Sequence, residues 1–424
     1  MPAFVRAFGG DPAFAPPWMQ ALRGKALAHF EQVGLPTQKL EDWKFTSFAS
    51  VGGVAFEPGP LKHGVTRAHV EALANAWDSL GVVFVNGRLT NELCEWRTAE
   101  GVQLLSFEDA NRQPALEQGL GLGVALDRQP LAALNTALAT DGAVIRIEPG
   151  ARPRPIHVVY VTSSAKPVAA FPRVYIDAAE GSQASIVQAY VGTGGEKSFT
   201  DAVVEVRLGP GAALDLYTQQ REPANASHAA LVQVNQAAQS RFGSYLLSLG
   251  AQLARDEVRV RMEGEGSSCT LHGLYLGAGT QHLDQHTVIE HASPRCTSRE
   301  LYKGVLDEHA HGVFTGRIWV HAGAQKTDST QTNKNLLLSD HAQVDTRPQL
   351  EIFADDVKCT HGSAVGQLDE AALFYLRSRG IPYAQARGLL TSAFVGEVLD
   401  ALPLEPLRLR TRELVAGKLG RALA

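Results

Sequence analysis

The sequence has little cysteine and no long hydrophobic run. Its 424 residues include four cysteines, none in a CxxC spacing, at positions 94, 269, 296 and 359. This excludes a dense disulfide framework, and reduced thiols in a cytosolic protein are the simplest interpretation. No apolar run reaches the roughly 18 residues of a membrane span, and Gly9–Pro12 interrupts any signal-peptide core. We expect a cytoplasmic protein with no membrane segment.

An excess of positive charge is also missing. The net charge is −5 and the isoelectric point lies near 6.3, so nothing indicates the basic surface that nucleic-acid binding requires. Hydrophobic residues make up 45% of the chain and charged residues 20%, as is ordinary for a globular protein with a large core. The motifs HExxH, GxSxG and GxGxxG and the Ser-His-Asp order are absent, which argues against a self-contained enzyme.

Residues 1–95 have a mainly helical pattern. In Pro17–Val33 the apolar residues recur on one helical face, and Gly34 ends the run. A second helix is predicted over Thr66–Leu80. Val82–Arg88 is rich in β-branched residues and closes with Asn-Gly, which predicts a strand followed by a turn. We therefore place an N-terminal helical domain at residues 1–95.

From about residue 143 to residue 365 the pattern is that of strands separated by small-residue turns. The turns that define a repeat begin at Gly181, Gly211, Gly266 and Gly323. Their separations are 30, 55 and 57 residues, and halving the last two gives a period of about 28 residues. A fixed period of this length predicts the stacked coils of a solenoid. A β-sandwich, with turns every 8–12 residues, is the alternative. The predicted core with its entry segment spans residues 96–365.

The pattern returns to that of helices near the C-terminus and predicts a helical domain at residues 366–424. Asp369–Gly380 begins with a capping acid and ends with basic residues and glycine. Further helices are predicted over 382–402 and Glu405–Leu423. Apolar residues at i, i+4 spacing form a stripe on the second of these helices: Leu390, Phe394, Val398 and Leu402. Packing against neighbouring helices explains most such stripes, and docking of a partner is the other interpretation.

Gly192–Ser198 is similar to a phosphate-binding loop but departs from it in two ways. The residue before Lys197 is Glu196 where the motif needs glycine, and a carboxylate there would repel phosphate. Phe199–Val206 continues as a strand, whereas a phosphate-binding loop opens a helix whose N-terminus holds the phosphate. We expect a hairpin here and no ATP hydrolysis by this chain.

Nine of the fourteen histidines lie between His272 and His361. The group includes His282, His286, His291, His309, His311 and His321. Such clusters are able to bind metal, and scattered surface histidines are the other and commoner explanation. Three cysteines are most simply buried small hydrophobic residues: Cys94, Cys269 and Cys296.

The most informative pair of side chains is Cys359 and His361, which stand two positions apart. In an extended strand, residues two apart project from the same face. A thiol and an imidazole aimed in one direction suit iron, zinc or an iron–sulfur cluster. Two ligands do not complete a tetrahedral site or hold a cluster, which usually takes four protein ligands. The other ligands must come from the rest of the chain or from a second chain.

Four segments resemble the SufB/SufD family of iron–sulfur cluster assembly proteins. They are Gly34–Phe45, Asp345–Ile352, Asp355–Gly362 and Leu373–Gly380, and they bracket about 350 residues in the family's order. The SufB branch usually carries a cysteine-rich segment near its N-terminus. This chain has no cysteine before Cys94, so its resemblance is to the SufD branch.

The resemblance implies a right-handed parallel β-helix flanked by helical domains. It implies a non-catalytic scaffold subunit that pairs with a SufB-like paralogue and docks a SufC-like ABC ATPase through its C-terminal helices. Cys359 and His361 would then contribute to a site for iron or a nascent cluster shared with the paralogue. The resemblance also allows a reduced flavin (FAD) at the level of the complex, although the sequence shows no flavin motif, and a homodimer of the isolated chain.

A carbohydrate-active enzyme is the alternative function, because parallel β-helices often carry lyases and hydrolases. Such an enzyme needs clustered carboxylates or basic catalytic groups on one face of the solenoid. Asp355 and Asp356 form the only acidic pair near the cysteine and histidine, and the absence of a secretion signal argues against this function.

Overall fold

A parallel β-solenoid of about eight turns forms the centre of the chain, with helices before and after it. The computed structural model describes residues 2–8, 16–60, 62–74, 79–95, 100–110, 119–121 and 123–422. The mainly β solenoid that the repeat predicted is confirmed. Every strand pair formed between residues 143 and 365 is parallel, which rules out the β-sandwich alternative.

Helices occupy the two ends of the described chain and the approach to the solenoid. The α-helices are α1 (Pro17–Val33), α2 (Arg67–Ala74), α3 (Phe107–Ala110), α4 (Pro130–Leu138), α5 (Glu370–Ser378), α6 (Tyr383–Asp400) and α7 (Glu405–Ala422). Short 3-10 helices lie at Ala3–Phe8, Glu41–Trp43 and Ala49–Gly53.

The strands run from residue 57 to residue 366. They are β1 (Glu57–Pro58), β2 (Leu80–Val85), β3 (Arg88–Leu89), β4 (Val102–Ser106), β5 (Gly142–Ile147), β6 (Ile156–Ser164), β7 (Val168–Ala170), β8 (Arg173–Ala178), β9 (Gln183–Gly195), β10 (Ser198–Leu208), β11 (Ala213–Gln220), β12 (Ala226–Gln236), β13 (Arg241–Ser248), β14 (Leu253–Met262), β15 (Ser268–Gly277), β16 (His282–His291), β17 (Thr297–Leu306), β18 (His311–Val320), β19 (Asp328–Leu337), β20 (Gln343–Ile352) and β21 (Lys358–Gly366).

Each coil of the solenoid contributes one strand to each of two sheets. One sheet has the order β20-β18-β16-β14-β12-β10-β8-β5-β4, and the other has the order β21-β19-β17-β15-β13-β11-β9-β6-β2-β3. Residues that lie side by side on successive coils give the coil length. Ser227 lies beside Leu253 in one of the shortest coils, and His311 lies beside Gln343 in one of the longest. The predicted period of about 28 residues lies between the lengths of these two coils and is confirmed.

At the same corner of six successive coils, one residue adopts a left-handed backbone conformation. The residues at this corner are Gly181, Gly211, Gln239, Gly266, Arg295 and Lys326, with φ between 58° and 69°. The Gly211 N–H donates to the Ala238 carbonyl of the next coil at 2.9 Å. Glycine adopts this conformation at no steric cost, which explains why glycines marked three of the corners. The turn predicted to begin at Gly323 is present, and its last residue, Lys326, holds the left-handed position.

The predicted N-terminal elements are largely present. Helix α1 has the predicted bounds and ends at Gly34, whose N–H donates to the Phe30 carbonyl at 2.7 Å. The helix predicted over Thr66–Leu80 is shorter: α2 ends at Ala74, and residues 75–78 lie outside the described residues. Leu80 belongs instead to β2, where pairing with β6 draws it into the sheet. The predicted strand and Asn-Gly turn are β2 and the turn to β3, with positive φ at both turn residues.

The three helices predicted at the C-terminus are α5, α6 and α7. Asp369 caps α5 as expected, because its carboxylate accepts hydrogen bonds from the Ala371 and Ala372 N–H groups at 2.8 and 3.2 Å. Helix α7 begins at Glu405 as predicted. Its predicted last residue, Leu423, lies outside the described residues, as does Gly9–Pro12 near the N-terminus.

Strand β2 lies within residues 1–95 but belongs to a solenoid sheet. At the other end, β21 finishes at Gly366 and α5 begins at Glu370. The division into residues 1–95, 96–365 and 366–424 stays a prediction.

The Glu41–Trp43 segment fastens the N-terminal region to the outer face of one solenoid sheet. Asp42 lies 3.5 Å from an Arg259 guanidinium nitrogen and 3.3 Å from one of Arg317. Glu41 pairs with Arg347 on β20, the last strand of that sheet. The ring of Trp43 stacks on the guanidinium of Arg255, whose carbon lies 3.9 Å from the ring centroid. One short segment thereby connects three coils.

We expect Trp43→Ala to lower the free energy of unfolding by about 3 kcal/mol, because the ring is buried and its loss leaves a cavity. Asp42→Asn should cost only about 1 kcal/mol, since its two ion pairs are partly exposed. Urea unfolding of both variants tests this, with the exposed residue Lys39 changed to alanine as the control. Equal midpoints for Trp43→Ala and the control would contradict the role of this segment.

The interior of the solenoid changes from apolar to polar along its length. Ile145, Ile176 and Val204 are typical of the early coils, where the inward side chains form the apolar core. Buried polar side chains occupy the same face in the later coils: Gln285, Thr287, Glu300, Gln331 and Asn333. Gln331 Nε2 donates to Glu300 Oε2 at 2.6 Å. Burial raises the pKa of Glu300 to about 7, although hydrogen bonds from Thr287 and Gln331 oppose this shift.

The raised pKa of Glu300 predicts a pH dependence of stability. The folded chain keeps a proton that the unfolded chain releases, so its unfolding free energy falls as the pH rises from about 4.5 to about 7. Glu300→Gln should remove this fall. The variant should therefore gain up to about 3 kcal/mol relative to the wild type between pH 5 and pH 8. Urea unfolding at both pH values measures the difference, and a difference independent of pH would contradict the raised pKa.

Candidate functional site

Cys359 and His361 lie on β21, the last strand of the solenoid. Both side chains are on the inward face of this strand, beside Ser329 and Gln331 of β19. Cys359 is half-buried and His361 is exposed. Because residues two positions apart on a strand share a face, the thiol and the imidazole lie side by side at the end of a sheet.

The two ends of the solenoid differ. At the N-terminal end each sheet closes with an antiparallel pair, β4 with β5 and β3 with β2. At the C-terminal end β20 and β21 each pair on one side only within the described part of the chain. Phe353 is 63% exposed there and Val365 48%. Open strand edges beside exposed apolar side chains are the features of a surface that another strand or chain can cover.

The surroundings of Cys359 disfavour its thiolate form. The side chain packs against the apolar group of Ile318, Val320 and Ala354. Burial raises the pKa of the Cys359 thiol, and the negative charge of Asp328 adds to this effect. A bound cation would favour the thiolate and so offset both contributions.

A hydrogen-bonded row of side chains leads inward from Cys359. Its neighbour Ser329 shares a hydrogen bond of 2.7 Å with Ser298 on the preceding coil. Ser298 in turn lies 3.0 Å from Nε2 of the buried His291. Sequence reasoning missed these serines, although the coil repeat connects position 359 with positions 329 and 298. A single serine is not a recognisable sequence motif, so only the strand register could have identified this row of side chains.

The other histidines of the later coils are engaged separately. His311 Nε2 lies 2.8 Å from Asp345, and His321 Nε2 lies 2.6 Å from Glu290. His309 stacks on His341 with ring centroids 4.8 Å apart. Among the described residues no group of three or more histidine, cysteine, aspartate or glutamate side chains is placed to hold a metal ion. The histidine group therefore shows scattered partners rather than a metal centre.

Three further cysteines are buried and free: Cys94, Cys269 and Cys296. Burial raises the pKa of the Cys94 thiol to about 11. Cys269 and Cys296 belong to the hydrophobic core of the solenoid. All three are placed as small hydrophobic residues, as the sequence indicated.

The segment Gly192–Ser198 contains the end of β9 and the first residue of β10, and it opens no helix. It joins β9 to β10, and these two strands belong to different sheets. The predicted hairpin was therefore wrong, because the segment turns a corner of the coil. The absence of a helix after Lys197 agrees with the argument against a phosphate-binding loop.

The predicted apolar stripe of α6 faces the solenoid. Val398 and Leu402 are buried, and Val398 packs with Leu274 and Val305 of the odd-numbered sheet. Internal packing is thus the correct interpretation of the stripe. The large hydrophobic side chains left exposed on the C-terminal helices are different ones: Phe374, Tyr375, Tyr383, Leu389 and Leu409.

The acidic pair before β21 lies at an exposed bend. Asp355 and Asp356 are both exposed, and Asp356 forms an ion pair with Lys326.

The helices in the described residues are all too short or too polar to span a membrane.

Comparison with known proteins identifies the family. Residues 160–394 match the family model "SUF system FeS cluster assembly, SufBD core domain", and residues 13–156 match that of the SufBD protein N-terminal region. The chain is 31% identical over 406 residues to the iron–sulfur cluster assembly protein SufD of Escherichia coli, covering 94% of this chain and 92% of that protein.

Two other relatives cover similar shares. An iron–sulfur cluster assembly SufBD family protein of Synechocystis is 32% identical over 395 residues, covering 90% of this chain and 87% of the relative. The SufD protein of Bacillus subtilis is 28% identical over 419 residues, covering 95% and 94%. The chain belongs to the SufBD family of iron–sulfur cluster assembly proteins.

Proposed function

We propose that this chain is a SufD-type scaffold subunit that contributes Cys359 and His361 to a cluster-building site completed by a SufB-like paralogue. The observation that carries the proposal is the placement of these two candidate ligands together on the last strand of the solenoid, which pairs on one side only within the described chain. Iron or a nascent cluster is the cargo of this site. The chain itself is a non-catalytic subunit.

The number of ligands supports a shared site. A cluster usually takes four protein ligands, and among the described residues no third histidine, cysteine or carboxylate is placed to hold a metal ion together with Cys359 and His361. The open strand β21 offers a place for a second solenoid of the same family to add ligands from its own end strand. The same surface would serve a homodimer of the isolated chain. The flavin allowed by the resemblance is assigned to the complex and to no residue of this chain.

The exposed aromatic residues of α5 and α6 support docking of a SufC-like ABC ATPase. Phe374 is 74% exposed and Tyr375 56% on α5, and the following helix, α6, is held on the solenoid by Val395 and Val398. An exposed apolar patch on a firmly packed helix is typical of a protein interface. The ATP that drives assembly would be hydrolysed by that partner, and this chain would act in the cytoplasm.

We expect His361→Ala to leave the fold and the complex intact and to impair activation of a client iron–sulfur enzyme in cells that rely on this pathway. The side chain is exposed, so its removal creates no cavity, but it removes one of two ligands. Cys359→Ala should have a similar or milder effect. His309→Ala, an exposed histidine outside the site, is the control. Full client activation by His361→Ala at normal protein levels would remove this residue from the mechanism.

We expect a Phe374→Ala and Tyr383→Ala double variant to weaken binding of the ABC ATPase about tenfold or more, since aromatic anchors carry much of the energy of an interface. Phe353→Ala is the matched control, because Phe353 is an equally exposed aromatic residue at the open end of the solenoid. It should weaken pairing with the paralogue and leave ATPase binding unchanged. Co-purification and titration of each partner measure both effects. Undiminished ATPase binding by the double variant would contradict this docking site.

A further inference from the structure

A row of inward side chains on three successive coils ends at His361. Glu300 on β17 lies beside Gln331 on β19, and Gln331 lies beside His361 on β21. Neighbouring strands are about 4.8 Å apart, so side chains on the same face at these positions are within reach of one another. Glu300 and Gln331 are buried, whereas His361 is exposed.

The amide of Gln331 is fixed at one end and free at the other. Its Nε2 donates to Glu300 Oε2 at 2.6 Å. Its Oε1 is buried and has no hydrogen-bond partner among the described residues. A buried acceptor without a donor is costly, and most such groups in proteins have a partner. Gln331 therefore has an unused acceptor at the position next to His361 in the register, and the imidazole carries ring N–H donors.

The space around this amide is shaped for it. Gly316 on β18 faces the interior, and a methyl group built at this position would overlap the Gln331 amide. Glycine at this position allows the glutamine side chain to lie across the interior. The position of the amide is thus set by two independent features, the Glu300 hydrogen bond and the space left by Gly316.

We propose that Gln331, held by Glu300, is a positioning residue for His361, and this inference rests on the proposed function. Its Oε1 accepts a hydrogen bond from one ring nitrogen of His361 and so presents the lone pair of the other nitrogen to iron. Histidines that bind metals generally donate their second N–H to such a partner, which fixes the tautomer and the ring orientation. Neither Gln331 nor Glu300 touches the cargo.

The first test reads the His361 ring directly and needs no metal. Selective ¹⁵N-histidine labelling of the full chain, with His361 assigned through His361→Ala, reports which ring nitrogen carries the proton. We expect one dominant tautomer in the wild type and a mixture in Gln331→Met, which keeps the length of the side chain but removes its amide. Gly316→Ala should give the same mixture by displacing the amide. Identical His361 signals in wild type and Gln331→Met would overturn the proposal.

The second test measures Fe²⁺ binding by the complex with the SufB-like paralogue. Gln331→Met should weaken binding by about 10- to 100-fold, as loss of an outer hydrogen-bond partner does elsewhere. The exchange E300Q/Q331E should restore it, because the amide at position 300 then donates to the carboxylate at position 331. Asn333→Leu is the matched control, an equally buried amide on the same strand whose neighbour on β21 is Ser363. It should leave Fe²⁺ binding unchanged.

The outcomes separate this inference from the function on which it rests. Wild-type binding by Gln331→Met, together with loss of binding by His361→Ala, would overturn the positioning role and leave the shared iron site intact. Wild-type binding by His361→Ala would overturn the iron site itself. Equal loss in Gln331→Met and Asn333→Leu, without recovery by the exchange, would show a purely structural role and also overturn the inference.

Discussion

The parallel register between successive coils is the constraint on which the rest of this structure depends. It places residues that are one coil apart in the sequence side by side, from the corner at Gly181 to the last strand β21. The hydrogen bonds between strands fix this register, and inward side chains then stack in columns through the interior. Every feature of the candidate site is a consequence of that stacking.

The same constraint leaves the inward side chains of the last strand more accessible than those of the strands within the stack. Within the stack, an inward polar residue such as Gln331 is covered by the coil above it. At β21 no further coil follows in the described chain, so Cys359 and His361 occupy column positions that are open on one side. Side chains at these positions are supported by the preceding coil on one side, and a partner can reach them from the other side. This arrangement suits a site that two chains complete together and that releases its product.

The repeat and the strands of the core could be predicted from the sequence because glycine marked three of the left-handed corners. Gln239, Arg295 and Lys326 adopt the same backbone conformation although each has a Cβ atom, and no sequence pattern predicts these corners. The exposed apolar side chains of the C-terminal helices were predicted less well. Apolar spacing correctly identified one face of α6, but it could not tell that the solenoid covers Val398 while leaving Phe374 on α5 exposed. Which partner covers an apolar face depends on tertiary packing.

The candidate ligands were identified from their own motif, whereas the side chains beside them were not. Ser329 and Gln331 lie one coil before Cys359 and His361, and common polar residues at that distance carry no local signal. Their significance appears only when the register places them in one column. The length of the repeat varies from coil to coil, which prevents that alignment from being made by counting alone.

The most direct test of the account is X-ray absorption at the iron edge of the complex with the SufB-like paralogue loaded with Fe²⁺. The account predicts scattering from an imidazole ring and from sulfur, with the imidazole contribution lost in His361→Ala and retained in His309→Ala. A spectrum of the His361→Ala complex identical to that of the wild type would contradict the claim that this chain supplies a ligand to the site.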